Sequence, residues 1–142
     1  MSTTKADLIR LADERVLDAR ALLDAGRFDG AYYLAGYAVE AGLKAHIAKL
    51  TVAEEFPDRK RVLDAHSHDL AKLVHVSGLQ TELDEQRAKS LEFRENWATV
   101  VDWVPEMRYW NPGKLCRADV ELMISAIADR RDGVLIWLKS IL

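Results

Sequence analysis

The chain has 142 residues, of which 49% are hydrophobic and 30% are charged, and its formal net charge is −3. This length predicts one domain, residues 1–142, with a core of its own. The slightly acidic charge excludes a protein that holds nucleic acid mainly by bulk positive charge, although a local basic patch is compatible with it. The single cysteine, Cys116, excludes an internal disulfide and any CxxC-type metal or redox motif.

The N-terminal segment carries charges throughout and has no apolar centre of the signal-peptide type. No apolar run approaches the ~20 residues that a membrane span needs. We therefore expect a soluble, cytoplasmic protein that does not interact with membranes.

Two helices are predicted before residue 51. Thr4, with Asp7 three residues later, forms a weak capping box for the first helix, and Gly26 ends it. Asp29 is the predicted N-cap of the second helix, which continues to about Leu50. Small and apolar residues cover most of the circumference of this second helix, which predicts that it is central.

The region between the second helix and residue 80 contains one predicted loop and one short helix. Residues 51–66 lose the helical pattern around Pro57 and are predicted to form a loop. Ser67 is the predicted N-cap of a short third helix, and Gly78 ends it.

A long fourth helix and a connector are predicted next. Thr81 with Asp84 opens this helix, which reaches Val104, and Pro105 is placed to stop it. Its second half is strongly apolar, while its first half is mostly polar. Residues 107–113, MRYWNPG, are predicted to form a compact connector.

The last helix is predicted from about Arg117 to Leu142, with a kink or break at Gly133. No stretch of the chain alternates with the period of two that strands require. The predicted fold is all-α, an antiparallel up-and-down helical bundle of four long helices plus one short helix.

Three short motifs occur in order along the chain. The second helix reads AYYLAGYAVEAGLKA, an aromatic-rich stretch that leads into Glu40-x-x-x-Lys44. SHDL follows at Ser67–Leu70 and MRYW at Met107–Trp110. With these motifs the chain resembles the HEPN domain (higher eukaryotes and prokaryotes nucleotide-binding) over roughly Leu11 to Leu138. SHDL looks like the motif that opens the family's third helix, and MRYW looks like its Arg-Tyr connector.

The resemblance implies an antiparallel bundle that is often dimeric and is often encoded beside, or fused to, a small nucleotidyltransferase. Some members are metal-independent ribonucleases with Arg-x(4–6)-His on a helix, where the histidine transfers a proton and the arginine stabilises phosphorane charge. Here no histidine follows the arginines of the later helices, which are Arg94, Arg130 and Arg131. Arg61-x4-His66 has the spacing but lies in the predicted loop.

The polar residues of the second helix have two interpretations. Glu40 and Lys44 are spaced for an i,i+4 ion pair, or Lys44 contacts a phosphate while Glu40 orients it. Arg131 falls in an apolar seam and needs a carboxylate, so Glu40 and Arg131 are predicted to form a structural polar anchor. Tyr33 and Tyr37 extend the same face, either as core residues or as a base-stacking platform.

The connector holds the residues on which a functional hypothesis rests most readily. Arg108 could hold a phosphate bidentately, while Tyr109 stacks on a base. Alternatively, Tyr109 and Trp110 plug the end of the bundle, and Arg108 caps the carbonyls of the preceding helix.

Two other features carry weaker signals. The run His66–Asp69 contains metal-ligand types, but helix capping and surface exposure explain it, so we expect no metal site and no cofactor. Cys116 lacks a base near it in sequence and is expected to be buried.

The favoured hypothesis is a non-catalytic HEPN-type module that forms a dimer. It would bind a nucleotide or an RNA phosphate near Arg108, Tyr109 and Lys44, or serve as the partner of a small nucleotidyltransferase, as in toxin–antitoxin pairs. The alternatives are a metal-independent ribonuclease with a degenerate Arg-x(4–6)-His motif and a purely structural dimerisation domain.

Overall fold

The computed structural model describes residues 3–51 and 59–142, and every regular element in these ranges is helical. The all-α prediction is therefore confirmed. Within the same ranges, no helix combines the length and the apolar character that a membrane crossing requires. The α-helices are α1 (Lys5–Asp24), α2 (Phe28–Leu50), α3 (Arg59–Ala65), α4 (Leu70–Val76), α5 (Gln80–Lys89), α6 (Leu91–Val101), α7 (Arg117–Ala128) and α8 (Val134–Ser140), and a 3₁₀ turn spans Pro105–Tyr109.

The prediction of four long helices is wrong. Only α1, with 20 residues, and α2, with 23, are long. The predicted fourth and last helices are each broken in two, and α3 adds a short helix. The up-and-down order of the bundle stays a prediction.

Helix α1 begins and ends where the sequence predicts. The Thr4 hydroxyl accepts a hydrogen bond from the Asp7 amide at 3.1 Å, and the Asp7 carboxylate accepts one from the Thr4 amide at 2.9 Å. The bond from the Thr4 backbone holds the pKa of Asp7 below its usual value. At the other end, Gly26 has a φ of +75°, in the left-handed region that glycine adopts without strain.

Helix α2 starts earlier than predicted. Asp29 is not its cap, because Arg27 occupies the N-cap position and makes no side-chain capping bond. The Asp29 carboxylate instead accepts a hydrogen bond from the Gly113 amide at 3.0 Å. The residue predicted as a local cap therefore holds a distant loop against the start of the helix.

The predicted central place of α2 is confirmed. Twelve of its 23 residues are buried, and α1, α4, α7, α8 and the 3₁₀ turn all pack on it. Alanine and glycine make up most of the buried set, which lets neighbouring helices approach closely. At Gly42, for example, an added Cβ would lie 3.0 Å from the Leu138 side chain.

The closest of these approaches is made by Trp103. Its side chain is fully buried, and a Cβ built on Gly36 would lie only 2.1 Å from its ring atoms. The indole Nε1–H also donates a hydrogen bond to the Tyr33 carbonyl at 3.2 Å. This contact fixes the segment between α6 and the 3₁₀ turn on the surface of α2.

The region before α4 differs from the predicted loop. Residues 52–58 lie outside the described residues, and residues 59–65 form α3, so the loop prediction is wrong there. Asp69, not Ser67, caps α4, since its carboxylate accepts from the Lys72 amide at 3.2 Å. Ser67 accepts from the Asp69 amide at 3.1 Å. Gly78 follows the helix with a φ of +76°, as predicted.

The predicted fourth helix is interrupted at Ser90. Leu79, not Thr81, is the N-cap of α5, and the Ser90 hydroxyl starts α6 by accepting from the Phe93 amide at 3.0 Å. Helix α6 ends at Val101 rather than Val104. Pro105 therefore opens the 3₁₀ turn and does not terminate the α-helix.

The break predicted at Gly133 is confirmed. The Asp129 carboxylate accepts hydrogen bonds from the amides of Asp132, at 2.7 Å, and Arg131, at 3.1 Å, and these bonds hold the pKa of Asp129 below its usual value. A Cβ at Gly133 would lie 2.4 Å from the Asp129 carbonyl oxygen, so the turn admits only glycine there.

The two breaks are bonded to each other. The Ser90 hydroxyl donates to the Asp132 carboxylate at 3.0 Å, and the Asn96 amide donates to the Asp132 carbonyl at 2.9 Å. Both interrupted helices are therefore joined at the same point of the molecule.

The expected burial of Cys116 is wrong. Its thiol is exposed, and the residue is the N-cap of α7, where the Asp119 carboxylate accepts its amide hydrogen at 2.8 Å. Cys116 therefore serves the start of α7 through its backbone amide, and any small residue with a free amide could do the same.

One buried histidine links α2 to α8. His46 is only 3% exposed, and its Nε2 lies 2.8 Å from the Leu138 carbonyl oxygen, so Nε2–H donates this bond. Burial lowers the pKa of His46 below its usual value. The folded protein therefore holds this imidazole in its neutral form.

The contact at Gly36 is testable by adding one methyl group. We expect Gly36→Ala to lower the free energy of unfolding by about 1–3 kcal/mol or more, because the indole must move. Gly30→Ala is the matched control on the same helix, since its Cβ would make an ordinary 3.4 Å contact with Leu22. Chemical denaturation measures both, and equal stability of Gly36→Ala and the wild type would contradict the close packing.

The neutral state of His46 predicts a pH dependence. Its pKa is lowered in the folded state, so the unfolded chain binds a proton first as the pH falls below 6.5, and stability is lost from there downward. His46→Gln keeps a donor for the Leu138 carbonyl but does not titrate. We expect denaturation midpoints of this variant to fall less between pH 7 and pH 5 than those of the wild type, whereas His75→Gln, at an exposed site, should follow the wild type.

Candidate functional site

One face of α2 carries an aromatic and polar stripe, Tyr33, Tyr37, Glu40 and Lys44, on successive helical turns. The Tyr33 and Tyr37 rings meet edge to face with centroids 5.0 Å apart, and their hydroxyl oxygens are 3.2 Å apart. We call these four residues the α2 stripe.

The tyrosines of the α2 stripe are partly core residues. The Trp103 ring lies 4.9 Å from the Tyr37 ring and 6.5 Å from the Tyr33 ring, and both tyrosines pack against the hydrophobic core. Both remain half-buried, so they also form part of the surface. The edge-to-face contacts, which Tyr37 makes with Tyr33 and Trp103, stabilise the cluster beyond simple burial.

Glu40 is the polar centre of the stripe. Its side chain is 9% exposed, and its two oxygens contact different basic groups. Oε1 lies 2.6 Å from Nδ1 of His68, and Oε2 lies 3.6 Å from Nζ of Lys44. The predicted Glu40–Lys44 pair is thus confirmed. Because two basic groups face it, the carboxylate is buried without being left unpaired.

His68 was not predicted as a partner of this carboxylate. It precedes α4, its ring edge meets Tyr37 at 6.2 Å between centroids, and its side chain is 51% exposed. No periodic signal connects positions 28 residues apart. The only available hint was chemical, because a carboxylate in a small-residue helical face needs a base from another element.

The predicted pairing of Glu40 with Arg131 is wrong. Arg131 lies in the turn between α7 and α8, where its side chain is exposed and its amide bonds to Asp129. The break before Gly133 takes Arg131 out of the helical seam in which the sequence pattern placed it.

No group of three or more histidine, cysteine, aspartate or glutamate side chains that could hold a metal ion occurs in residues 3–51 and 59–142. His68 is bonded to Glu40, and Asp69 caps α4. Three members of the run His66–Asp69, namely Ser67, His68 and Asp69, therefore have structural roles.

The connector exposes its aromatic residues. Tyr109 is 77% exposed and Trp110 48% exposed. The alternative in which they plug the end of the bundle is wrong, because both side chains are exposed. The structure describes Arg108 by its backbone, which lies in the 3₁₀ turn.

A cleft lies between the connector and the first turn of α2. It holds about 340 Å³ and is lined by residues that include Arg27, Tyr33, Met107, Trp110, Pro112 and Lys114. We call it the connector cleft. The bond from Gly113 to Asp29 holds the loop that forms one of its walls.

The cationic side chains of the connector cleft were missed by sequence analysis. Arg27 and Lys114 are both exposed, and within the described ranges neither makes an ion pair with a carboxylate. The unbonded amides of the first turn of α2 lie beside them. These groups come from segments more than 80 residues apart, which only the folded chain brings together.

The structure separates Lys44 from the connector. Lys44 lies eleven residues after Tyr33 on the same helix, a rise of about 16 Å along the axis. One phosphate cannot contact both Lys44 and the connector cleft. The predicted site therefore divides into two parts, the cleft and the polar end of the α2 stripe.

Comparisons with known proteins returned no matches: no family model fits the chain, and neither a curated protein nor a solved structure matches it.

The buried indole of Trp103 should contribute much more stability than the exposed indole of Trp110. Trp103→Phe removes the hydrogen bond to the Tyr33 carbonyl and leaves space beside Gly36, so we expect a loss of about 1–3 kcal/mol in the free energy of unfolding. Trp110→Phe is the matched control, with an expected change within about 0.5 kcal/mol. Urea denaturation measures both, and similar losses in the two variants would contradict the assigned role of Trp103.

Proposed function

We propose that the chain is a non-catalytic helical module of the HEPN type that binds a nucleotide or an RNA phosphate in the connector cleft. One observation carries this proposal: two cations without carboxylate partners among the described residues and a half-exposed indole line the same cleft. The expectation of a dimer, and of a small nucleotidyltransferase as partner, rests on the three motifs that resemble the family.

The groups of the connector cleft suit a phosphate with an attached base. Arg27 can bind phosphate oxygens bidentately, and Lys114 adds a second positive charge. The N-terminus of α2 carries partial positive charge and free amides, which also favour an anion. Trp110 presents a flat ring, on which a base gains about 1–3 kcal/mol by stacking.

The size of the cleft agrees with this use. A volume of about 340 Å³ lies at the lower end of the range for small-molecule sites, roughly 300–1,000 Å³. Asp29 also lines the cleft, but one of its oxygens is bonded to Gly113. With two cations and one carboxylate, the side chains give the cleft a net positive charge.

The placement of Arg61 and His66 supports the non-catalytic half of the proposal. Arg61 is in α3, and His66 follows the end of that helix with an exposed side chain. His66 therefore lies beyond the end of α3, and the two residues do not share one helix, as the family's Arg-x(4–6)-His motif does. The family's ribonucleases need these two groups side by side. The residues lining the connector cleft include no histidine.

Binding can be measured by fluorescence anisotropy with a labelled short single-stranded RNA and by calorimetry with ATP. Arg27→Ala and Lys114→Ala should each weaken binding about tenfold, because each removes a charge-assisted contact. Trp110→Ala should weaken it at least about fivefold through lost stacking. Lys89→Ala is the control, since Lys89 is an exposed lysine at the end of α5, outside the cleft.

Two results would overturn the proposal. Wild-type protein that binds neither probe at low salt would remove the binding function. Cleavage of the RNA in the presence of EDTA, abolished by a connector variant such as Arg108→Ala, would show that the protein is a ribonuclease instead.

A further inference from the structure

The contact between Glu40 and His68 fixes the chemistry of one imidazole. The carboxylate can only accept hydrogen bonds, so the ring nitrogen 2.6 Å from it, Nδ1, carries the proton of that bond. In the neutral ring, Nε2 then holds the free electron pair. The His68 side chain is 51% exposed, and among the described residues Nε2 makes no hydrogen bond.

Two residues of α2 fix the orientation of the His68 ring. Glu40 belongs to the central helix α2 and is itself buried, so it is a rigid partner. The Tyr37 ring packs edge to face against the imidazole from the same helix. A histidine whose second nitrogen is bonded to a buried carboxylate has its tautomer and its direction set before any reaction, as in catalytic triads.

The other three histidines of the chain lack this combination. His46 is buried and bonded through Nε2 to Leu138. His66 and His75 are exposed, and in the described part of the chain neither side chain makes a hydrogen bond or ion pair. They are therefore internal references of ordinary reactivity in the same molecule.

We propose that Nε2 of His68 is a nucleophile that accepts a phosphoryl group, with Glu40 as its positioning residue. This function goes beyond binding in the connector cleft and does not depend on it. The donor class is a compound with an activated phosphoryl group, such as a phosphoramidate or an acyl phosphate.

The reaction needs no group beyond the imidazole and the donor. The electron pair of Nε2 attacks phosphorus, a nitrogen–phosphorus bond forms, and the bond from phosphorus to the leaving group breaks. The leaving group, ammonia in the case of phosphoramidate, departs with that electron pair. Positive charge develops on the ring during the attack, and the Glu40 carboxylate bonded to Nδ1 stabilises it.

The test is to incubate the wild-type protein with potassium phosphoramidate near neutral pH and to locate modified peptides by mass spectrometry under alkaline conditions, which preserve phosphohistidine. We expect His68 to be phosphorylated at least about tenfold faster than His66 or His75, a ratio equal to about 1.4 kcal/mol in activation free energy. Equal rates at the three exposed histidines, or no reaction at His68, would overturn the proposal.

Variants separate the role of Glu40 from a purely structural one. Glu40→Gln retains an acceptor for Nδ1–H but removes the charge, so the rate at His68 should fall about tenfold while the rates at His66 and His75 stay constant. Lys89→Ala should change none of them.

In ¹⁵N NMR spectra, the wild-type His68 should show the Nδ1–H tautomer, and the Nε2–H tautomer would contradict the proposed nucleophile. None of these readouts involves the connector cleft, so nucleotide binding can fail or succeed independently.

Discussion

The approach of Trp103 to the backbone of α2 at Gly36 is the contact on which the rest of the structure depends. The ring occupies the space of a missing side chain, so the segment after α6 lies directly on the central helix. From this position the indole packs against Tyr33 and Tyr37 and orders the aromatic half of the stripe. The connector that follows is consequently held beside the start of α2, where it forms the cleft. A larger residue at position 36 would displace all of these groups together.

Local signals were sufficient for much of the fold. The capping box of Thr4, the left-handed glycines at the ends of α1 and α4, and the break at Gly133 all depend on residues within a few positions of each other, so the sequence shows them directly. The break at Ser90 was missed because one of its partners, Asp132, is 42 residues away. Helical periodicity continues across this interruption and masks the one local signal, the capping of α6 by the Ser90 hydroxyl.

The same distinction applies to the site. Glu40 and Lys44 are one turn apart, and their pairing follows from helical geometry. The shorter contact, to His68, joins two elements and could not be derived from spacing. Arg131 was misplaced because the seam was extended through a break that turns it towards solvent. Sequence analysis did not identify Arg27 and Lys114 as neighbours. Their segments are brought together by the bond between Gly113 and Asp29, which are 84 residues apart. Sequence reasoning therefore identified the connector but not the cations beside it.

The bonds of Asp132 to Ser90 and Asn96 have a consequence for how the chain can vary. Each break leaves polar groups without helical partners, and each supplies the partner for the other. A sequence that made one of these helices continuous would leave the polar groups at the other break without hydrogen-bond partners, between α6 and α8. The two interruptions are therefore coupled, and a substitution that removes one of them weakens the other.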